Sequence, residues 1–292
     1  MRTLLLCFLA SLSFAVELFF TPLPSTDWLC ELVAQASHTL YVCTYSLDER
    51  KFLQTLNDLT KRGVDVKILF ETGTIPDGAR ARMDAESSLL HLKFIVIDEA
   101  KVILGSANFT ENSLKKSIND VLYFEDREIA TVLADFFESL WNGELKRFQL
   151  QRDGFILKNY DLEDLLLKEL SKTKRTLDVA MFALTHPKVW SMLKILSSRN
   201  VRIRLLVDRW FLSNSKLKEL PESGVQVRVF EPFTLHTKLF IIDGRTVISG
   251  SANVTKSAYE KNVELMMVIR CRELVCEYEE LFETLWREGA EP

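Results

Sequence analysis

The chain has 292 residues, 47% of them hydrophobic and 27% charged, with a formal net charge of −4. That balance excludes a disordered tail, a collagen-like fibre and a polytopic membrane protein. With a negative net charge there is no general attraction to nucleic acid, so an anionic substrate must be held by local cations.

The first residues have the order of a secretory signal peptide: Arg2, then an apolar stretch from Leu4 to Phe14, then Ser13 and Ala15 three and one residues before a cut. The expected processing removes residues 1–15 and exports the protein to the periplasm or the medium, where it is soluble or associated with a membrane. An uncleaved anchor is the lesser alternative. Four cysteines then remain: Cys30, Cys43, Cys271 and Cys276. An even count permits disulfides in an exported chain, and four buried thiols fit equally well.

An internal repeat organises the rest. Residues 39–47 (TLYVCTYSL) align with 176–184 (TLDVAMFAL), and 63–71 (GVDVKILFE) with 200–208 (NVRIRLLVD), both at an offset of 137. Each block is β-branched, apolar and of strand length. Phe52 to Leu59 and Val189 to Leu196, which lie between them, place apolar residues at helical spacing. The unit reads strand–helix–strand, hence parallel strands with a crossover helix. Further on the offset is 145, so the second half carries eight extra residues between Asp208 and His236. Two halves follow, residues 16–150 and 151–292, with formal charges of −7 and +2. The stretch 172–218 carries a formal +9. It reads either as a solvated face or as a surface that meets phosphates.

Two segments at offset 145 carry the chemistry. His91-Leu-Lys93, with Asp98, precedes Gly105-Ser106-Ala-Asn108; His236-Thr-Lys238, with Asp243, precedes Gly250-Ser251-Ala-Asn253. Alternate residues of a strand share a face, so each His and its Lys point the same way. Asp98 begins a turn into a return strand at Val102, and Asp243-Gly244 is a strong hairpin signal. The glycine and serine of each second segment are small enough to let a ligand approach the backbone. Each Asp lies seven residues after its His, an odd number, which assigns Asp98 and Asp243 to holding the turn even though they belong to the motif. Each half thus offers an imidazole, an ammonium, a hydroxyl and an amide, a donor set suited to phosphate.

These segments resemble the two HKD motifs of the phospholipase D superfamily, and Glu17 to Pro22 looks like the first strand of such a half. The resemblance implies an α/β fold of two similar halves, each a mixed β-sheet flanked by helices, packed about a pseudo-twofold axis with the active site between them. The implied catalytic set is His91, Lys93 and Asp98 with His236, Lys238 and Asp243, and Ser106, Asn108, Ser251 and Asn253 bind the substrate phosphate. It implies a phosphohistidine mechanism without metal or cofactor. One neutral His attacks phosphorus; the other, protonated, serves the leaving alcohol and then activates water.

The acidic partner of the imidazole usual in that family falls at Glu264. The first half has Asn119 there, with Asp120 able to replace it only if the register slips by one residue. This inequality assigns His91 as nucleophile and His236 as acid, with Asn119 and Glu264 orienting them. His38 is read as a surface residue. His186 lies at a strand end that borders the active cleft.

Three functions compete: a lipid phosphodiesterase of phospholipase D type, an exported metal-independent endonuclease, and a catalytically inactive phosphate- or lipid-binding protein. Intact motifs disfavour the last. Trp210-Phe-Leu212, Phe230 and Phe233, and Leu89-Leu90 suggest an apolar mouth, which favours a phospholipid or membrane surface over nucleic acid. With both motifs in one chain, a monomer is complete.

Overall fold

The computed structural model describes residues 15–22, 26–84, 88–152, 154–213, 217 and 219–292. The expected signal peptide therefore lies outside the described residues, except for Ala15. The chain divides into two compact units, one ending at Leu150 and the other beginning at Gln151.

The first unit contains β1 (Ala15–Phe20), α1 (Asp27–Val33), β2 (Thr39–Leu47), α2 (Arg50–Lys61), β3 (Asp65–Gly73) and β4 (Arg80–Met83). It continues with β5 (Lys93–Ile97), β6 (Lys101–Gly105), α3 (Glu111–Lys116), β7 (Ser117–Ile118), β8 (Asp120–Glu125) and α4 (Arg127–Trp141). Its seven-stranded sheet has the order β1-β8-β6-β5-β2-β3-β4. The strand–helix–strand reading holds: β2 and β3 are parallel, with Leu40 opposite Val66, and α2 crosses between them. The motif strand β5 runs antiparallel to β2, with Lys93 opposite Thr44.

The second unit begins with β9 (Gln149–Arg152), which straddles the division, then β10 (Phe155–Lys158), α5 (Leu162–Leu170), β11 (Thr176–Met181), α6 (Pro187–Ser198) and β12 (Arg202–Asp208). A 3-10 turn follows at Arg209–Ser213, then α7 (Glu219–Glu222), β13 (Gln226–Phe230), β14 (Thr234–Leu235), β15 (Lys238–Ile242) and β16 (Thr246–Gly250). The unit closes with α8 (Lys256–Glu260), β17 (Met266–Ile269) and α9 (Arg272–Glu288). Its sheet order, β13-β12-β11-β15-β16-β17-β10-β9, repeats the first element by element with one strand added at the edge.

Every residue of β5 and β15 is buried. Ile95 and Ile97 pack with Phe52, Leu56 and Leu59 of α2 in one core, while Phe94 faces Phe136 of α4 across the sheet, ring centroids 6.3 Å apart. A strand covered on both faces reads as a continuous apolar run, and polar chemistry is confined to its ends.

The far ends of the motif strands are tight hairpins, with three residues between the paired Ile97 and Lys101 and between Ile242 and Thr246. Asp98 and Glu99, like Asp243 and Gly244, have positive φ, which matches the twist that such loops require. Asp98 accepts hydrogen bonds from the backbone N–H of Ser37, His38 and Thr39 and from the Ser37 hydroxyl, at 2.8–2.9 Å. Asp243 accepts from the N–H of Lys174, Arg175 and Thr176 at 2.7–2.9 Å. Both carboxylates fasten their hairpin to the start of a neighbouring strand, opposite the His end. This removes Asp98 and Asp243 from the catalytic set in which the motif counts them.

Two readings that the sequence leaves open are narrowed. Cys30, Cys43, Cys271 and Cys276 are all free thiols, the first three buried. The basic stretch is not one surface. Lys174, Arg175, Arg199 and Arg202 sit at the starts of β11 and β12, away from His236. Arg204 is buried in ion pairs with Asp178 and Glu283.

Burial opposes ionisation of Asp98 and Asp243, but the backbone N–H donors outweigh it and hold both carboxyls below their ordinary range. A lowered folded-state value contributes stability above the unfolded value of about 3.9, lost as pH falls through the folded value. Asp243→Asn should therefore lower the urea-unfolding free energy by about 1–3 kcal/mol at pH 7. The difference from wild type should shrink progressively below about pH 4.

Candidate functional site

Each unit builds one cluster at the end of its motif strand, where the C-terminal ends of β2 and β3, or of β11 and β12, also arrive. In open α/β sheets this end is where ligands bind. In the first unit His91 is 8% exposed and Lys93 1%. The Lys93 ammonium donates to the His91 carbonyl oxygen at 2.6 Å and lies 5.5 Å from the centre of the Tyr45 ring. That ring stands 5.4 Å from the His91 imidazole. The second unit repeats this: Lys238 donates to the His236 carbonyl oxygen and sits 5.6 Å from the Phe182 ring, which is 5.3 Å from His236. Tyr45 and Phe182 occupy equivalent positions of the repeat. Sequence reasoning aligned them without assigning them to the site.

Asn108 and Asn253 also match. The side-chain oxygen Oδ1 of each is buried with no hydrogen-bond partner. A buried polar atom left unpaired is costly, and its recurrence at the same place in both units marks a position prepared for a ligand.

Gly105 and Gly250 have a different reason from the one the sequence suggested. A Cβ on Gly105 would stand 2.1 Å from the Asp120 carbonyl oxygen, and one on Gly250 2.3 Å from that of Leu265. The neighbouring strand, rather than a ligand, demands glycine. β6 and β16 end at these glycines, so Ser106 to Asn108 and Ser251 to Asn253 follow the strand as loop instead of continuing it.

The serines are held by buried carboxylates. The Ser251 hydroxyl donates to Glu264 Oε2 at 2.5 Å and accepts from the Leu265 N–H at 2.9 Å. The Ser106 hydroxyl donates to Asp120 Oδ1 at 2.8 Å and accepts from the Asp120 N–H at 3.1 Å. No register slip is needed for this: Gly105 lies opposite Val121 and Gly250 opposite Met266, equivalent pairs. Asn119 donates to the Thr21 hydroxyl and the Ser113 carbonyl oxygen, at 3.0 and 2.8 Å. Each unit thus sets one carboxylate on its motif serine. The charge inequality of Asn119 and Glu264, which assigned separate roles to His91 and His236, is correspondingly reduced.

A positioning pair escaped sequence reasoning, although the repeat aligned it. Glu71, next to last but one in β3, accepts from the Leu90 N–H at 2.9 Å. Asp208, the last residue of β12, accepts from the Leu235 N–H at 2.7 Å and from the Trp210 N–H at 3.0 Å. The residue so held immediately precedes the motif His in both units. Burial raises the Asp208 carboxyl above its ordinary value against the pull of those two N–H groups.

His38 is exposed, as expected. His186 is buried within the second unit at 3% exposure, its Nε2 3.5 Å from Glu163 Oε2 and its ring edge-on to Tyr259. Among the described residues no three His, Cys, Asp or Glu side chains gather as a metal site. Among the same residues no helix is long and apolar enough to cross a membrane.

Against known proteins, the family model described as "Cardiolipin synthase, PLD-like domain" matches residues 29–141 and 166–286. The chain belongs to this family of the phospholipase D superfamily. Human mitochondrial cardiolipin hydrolase is 32% identical over 126 residues, 42% of this chain and 50% of that protein. A phospholipase D of Rickettsia bellii is 32% identical over 128 residues, 39% of this chain and 63% of that protein. The chain spans about half the length of the cardiolipin hydrolases it matches. Among solved structures, phosphatidylserine synthase of Haemophilus influenzae superposes with a TM-score of 0.71 at 13% identity, over 94% of this chain and 86% of that one. Polyphosphate kinase of Porphyromonas gingivalis gives 0.70 at 15% identity, over 92% of this chain and 50% of that one. These two likenesses concern the fold.

If Asp208 positions His236 through the intervening backbone, Asp208→Asn should lower kcat about 10- to 100-fold, the scale of a misplacement of about 1 Å. Far-UV circular dichroism should be unchanged. An unchanged kcat would show that Leu235 needs no carboxylate.

Proposed function

We propose that the protein is a phosphodiesterase of phospholipase D type, which hydrolyses a phospholipid to phosphatidate and the free head-group alcohol. The single observation that supports this most is the doubled cluster: a His just before the motif strand and the Lys that begins it, both beside one aromatic ring, with a Ser and Asn following the next strand, in each of two units. The chemistry needs two imidazoles in opposite protonation states, and the chain supplies two. One attacks phosphorus and forms a phosphohistidine as the bond to the head-group oxygen breaks. The other donates its proton to that oxygen, then accepts one from water, whose oxygen displaces the histidine. Lys93 and Lys238 offset the phosphate charge, and the amide N–H groups of Asn108 and Asn253 donate to its non-bridging oxygens. Ser106 and Ser251, whose one hydroxyl proton goes to Asp120 and Glu264, hold the loop that carries each Asn instead of bonding the phosphate themselves. The similarity to a cardiolipin hydrolase and a phospholipase D supports a lipid substrate, as do the exposed Trp210 and Phe233. Export through the N-terminal segment belongs to this reading. So do activity of a single chain and independence of metal and cofactor.

The experiment is turnover of labelled cardiolipin, phosphatidylcholine and single-stranded DNA by purified protein. His91→Asn and His236→Asn should each abolish lipid turnover, a loss of at least about 1,000-fold. About half the activity left in each variant would mean two independent sites. Excess EDTA should leave the rate unchanged, and a rate restored by one metal would overturn the two-histidine scheme. Phosphate trapped on His91 in quenched enzyme assigns it as nucleophile; phosphate on His236 reverses the roles. Cleavage of DNA alone would replace this reading with the endonuclease.

A further inference from the structure

Exposed apolar side chains are gathered at the histidine ends of the sheets. Among the described residues seven large hydrophobics are exposed. Ile75 and Met83 follow or end β3 and β4; Trp210, Leu212 and Phe233 follow β12 and β13. Five of the seven therefore sit at the strand ends that carry the candidate chemistry, where ordinary solvated loops would be polar.

In the second unit this apolar edge is continuous with the motif histidine. The Trp210 ring, 48% exposed, stands 5.1 Å from Phe182, which stands 5.3 Å from His236. The edge is also built rigidly. Phe211 is fully buried and edge-on to Trp210, and the Asp208 carboxylate takes the Trp210 N–H. Phe211 is therefore a core anchor, and the apolar surface that the sequence assigned to Trp210-Phe-Leu212 consists of Trp210 and Leu212. At the equivalent place the first unit has Gly73, where a Cβ would meet the Leu47 carbonyl oxygen at 2.1 Å, so no side chain can stand there.

Charge decides between a lipid surface and a polynucleotide. A single strand bound by stacking on aromatics also needs a cationic track for its phosphates. Among the described residues of this edge the cation next to Trp210 is Arg209, which lies 4.0 Å from the Glu231 carboxylate. Among the described residues of the basic stretch, Lys172, Lys174, Arg175, Arg199 and Arg202 sit at the opposite strand ends, Arg204 is held in buried ion pairs, and Lys188 and Lys194 lie on α6, Lys188 paired with Glu163. An indole with an apolar body and a polar N–H is suited to the boundary between acyl chains and head groups.

We propose that Trp210, Leu212 and Phe233 form a membrane-docking edge that enters a phospholipid surface, with Phe182 and Trp210 lying along the apolar part of the lipid whose phosphate meets His236. This rests on the reading of the substrate as a phospholipid.

The test uses the full chain and vesicles of phosphatidylcholine with cardiolipin. Cosedimentation is measured in a His236→Asn background, so that binding is read without turnover. Adding Trp210→Ser and Leu212→Ser should weaken vesicle binding at least about tenfold, the scale of withdrawing one large apolar side chain from lipid. In the otherwise wild-type enzyme the same pair should lower vesicle-lipid turnover to a similar extent, with hydrolysis of bis(4-nitrophenyl) phosphate changed less than about twofold. The emission lost on Trp210→Phe should be the component that brominated lipids quench. Unchanged vesicle binding, or equal losses on vesicle and soluble diester, would overturn the proposal. Loss of single-stranded DNA binding with vesicle binding intact would assign the edge to bases instead. Tight vesicle binding by a protein that cleaves no phospholipid would retain the docking edge and reject the substrate reading.

Discussion

The motif strand of each unit is buried on both faces and held by a carboxylate at both ends. At the hairpin end Asp98 or Asp243 collects three backbone N–H groups from the strand beside it. At the other end Glu71 or Asp208 collects the N–H just before the histidine. The strand can neither slide nor twist without breaking one of these clamps. A one-residue slip would also move Lys93 and Ile95 to the opposite face. Placement of the imidazole and the ammonium is therefore a property of the whole strand, fixed from outside the catalytic residues themselves.

The same economy governs the serine and asparagine that follow each glycine. The neighbouring strand approaches so closely that only glycine fits at Gly105 and Gly250. The chain then leaves the sheet at once, and the hydroxyl of the next residue is locked by a carboxylate and an N–H from that neighbour. The first unit does this with an aspartate one position later than the glutamate of the second. The shorter side chain starts one residue further on and reaches the equivalent hydroxyl. Two sequences that look unequal thus deliver the same interaction.

Where the units do differ, the difference concerns access more than chemistry. Tyr45 and Phe182 give each histidine an aromatic neighbour. Trp210 extends that neighbour to the surface in the second unit, where the first has a glycine that admits no side chain. The loop after Asp208, with Trp210 where the first unit has Gly73, therefore adds apolar surface next to one histidine without altering the phosphate-binding set, as loops carried on a rigid scaffold commonly do.

Much was legible before any coordinates. The repeat, the parallel strand pairs, the hairpins and the facing of His with Lys follow from periodicity and turn residues, because these are local. Strand parity alone separated Asp98 and Asp243 from the chemistry. What tertiary structure decided is which distant backbone each side chain meets. Glu71 and Asp208 appear in sequence only as strand-terminal acids, and their target is an N–H 19 or 27 residues away. Asp120 appears displaced by one position, and only its path to Ser106 shows that the displacement does not matter. The run of cations around 172–218 looks like a surface because sequence does not show that the strand ends separate it and that Asp178 and Glu283 neutralise Arg204. Periodicity is written along the chain, whereas hydrogen-bond partners and shared surfaces come into being when separate segments meet.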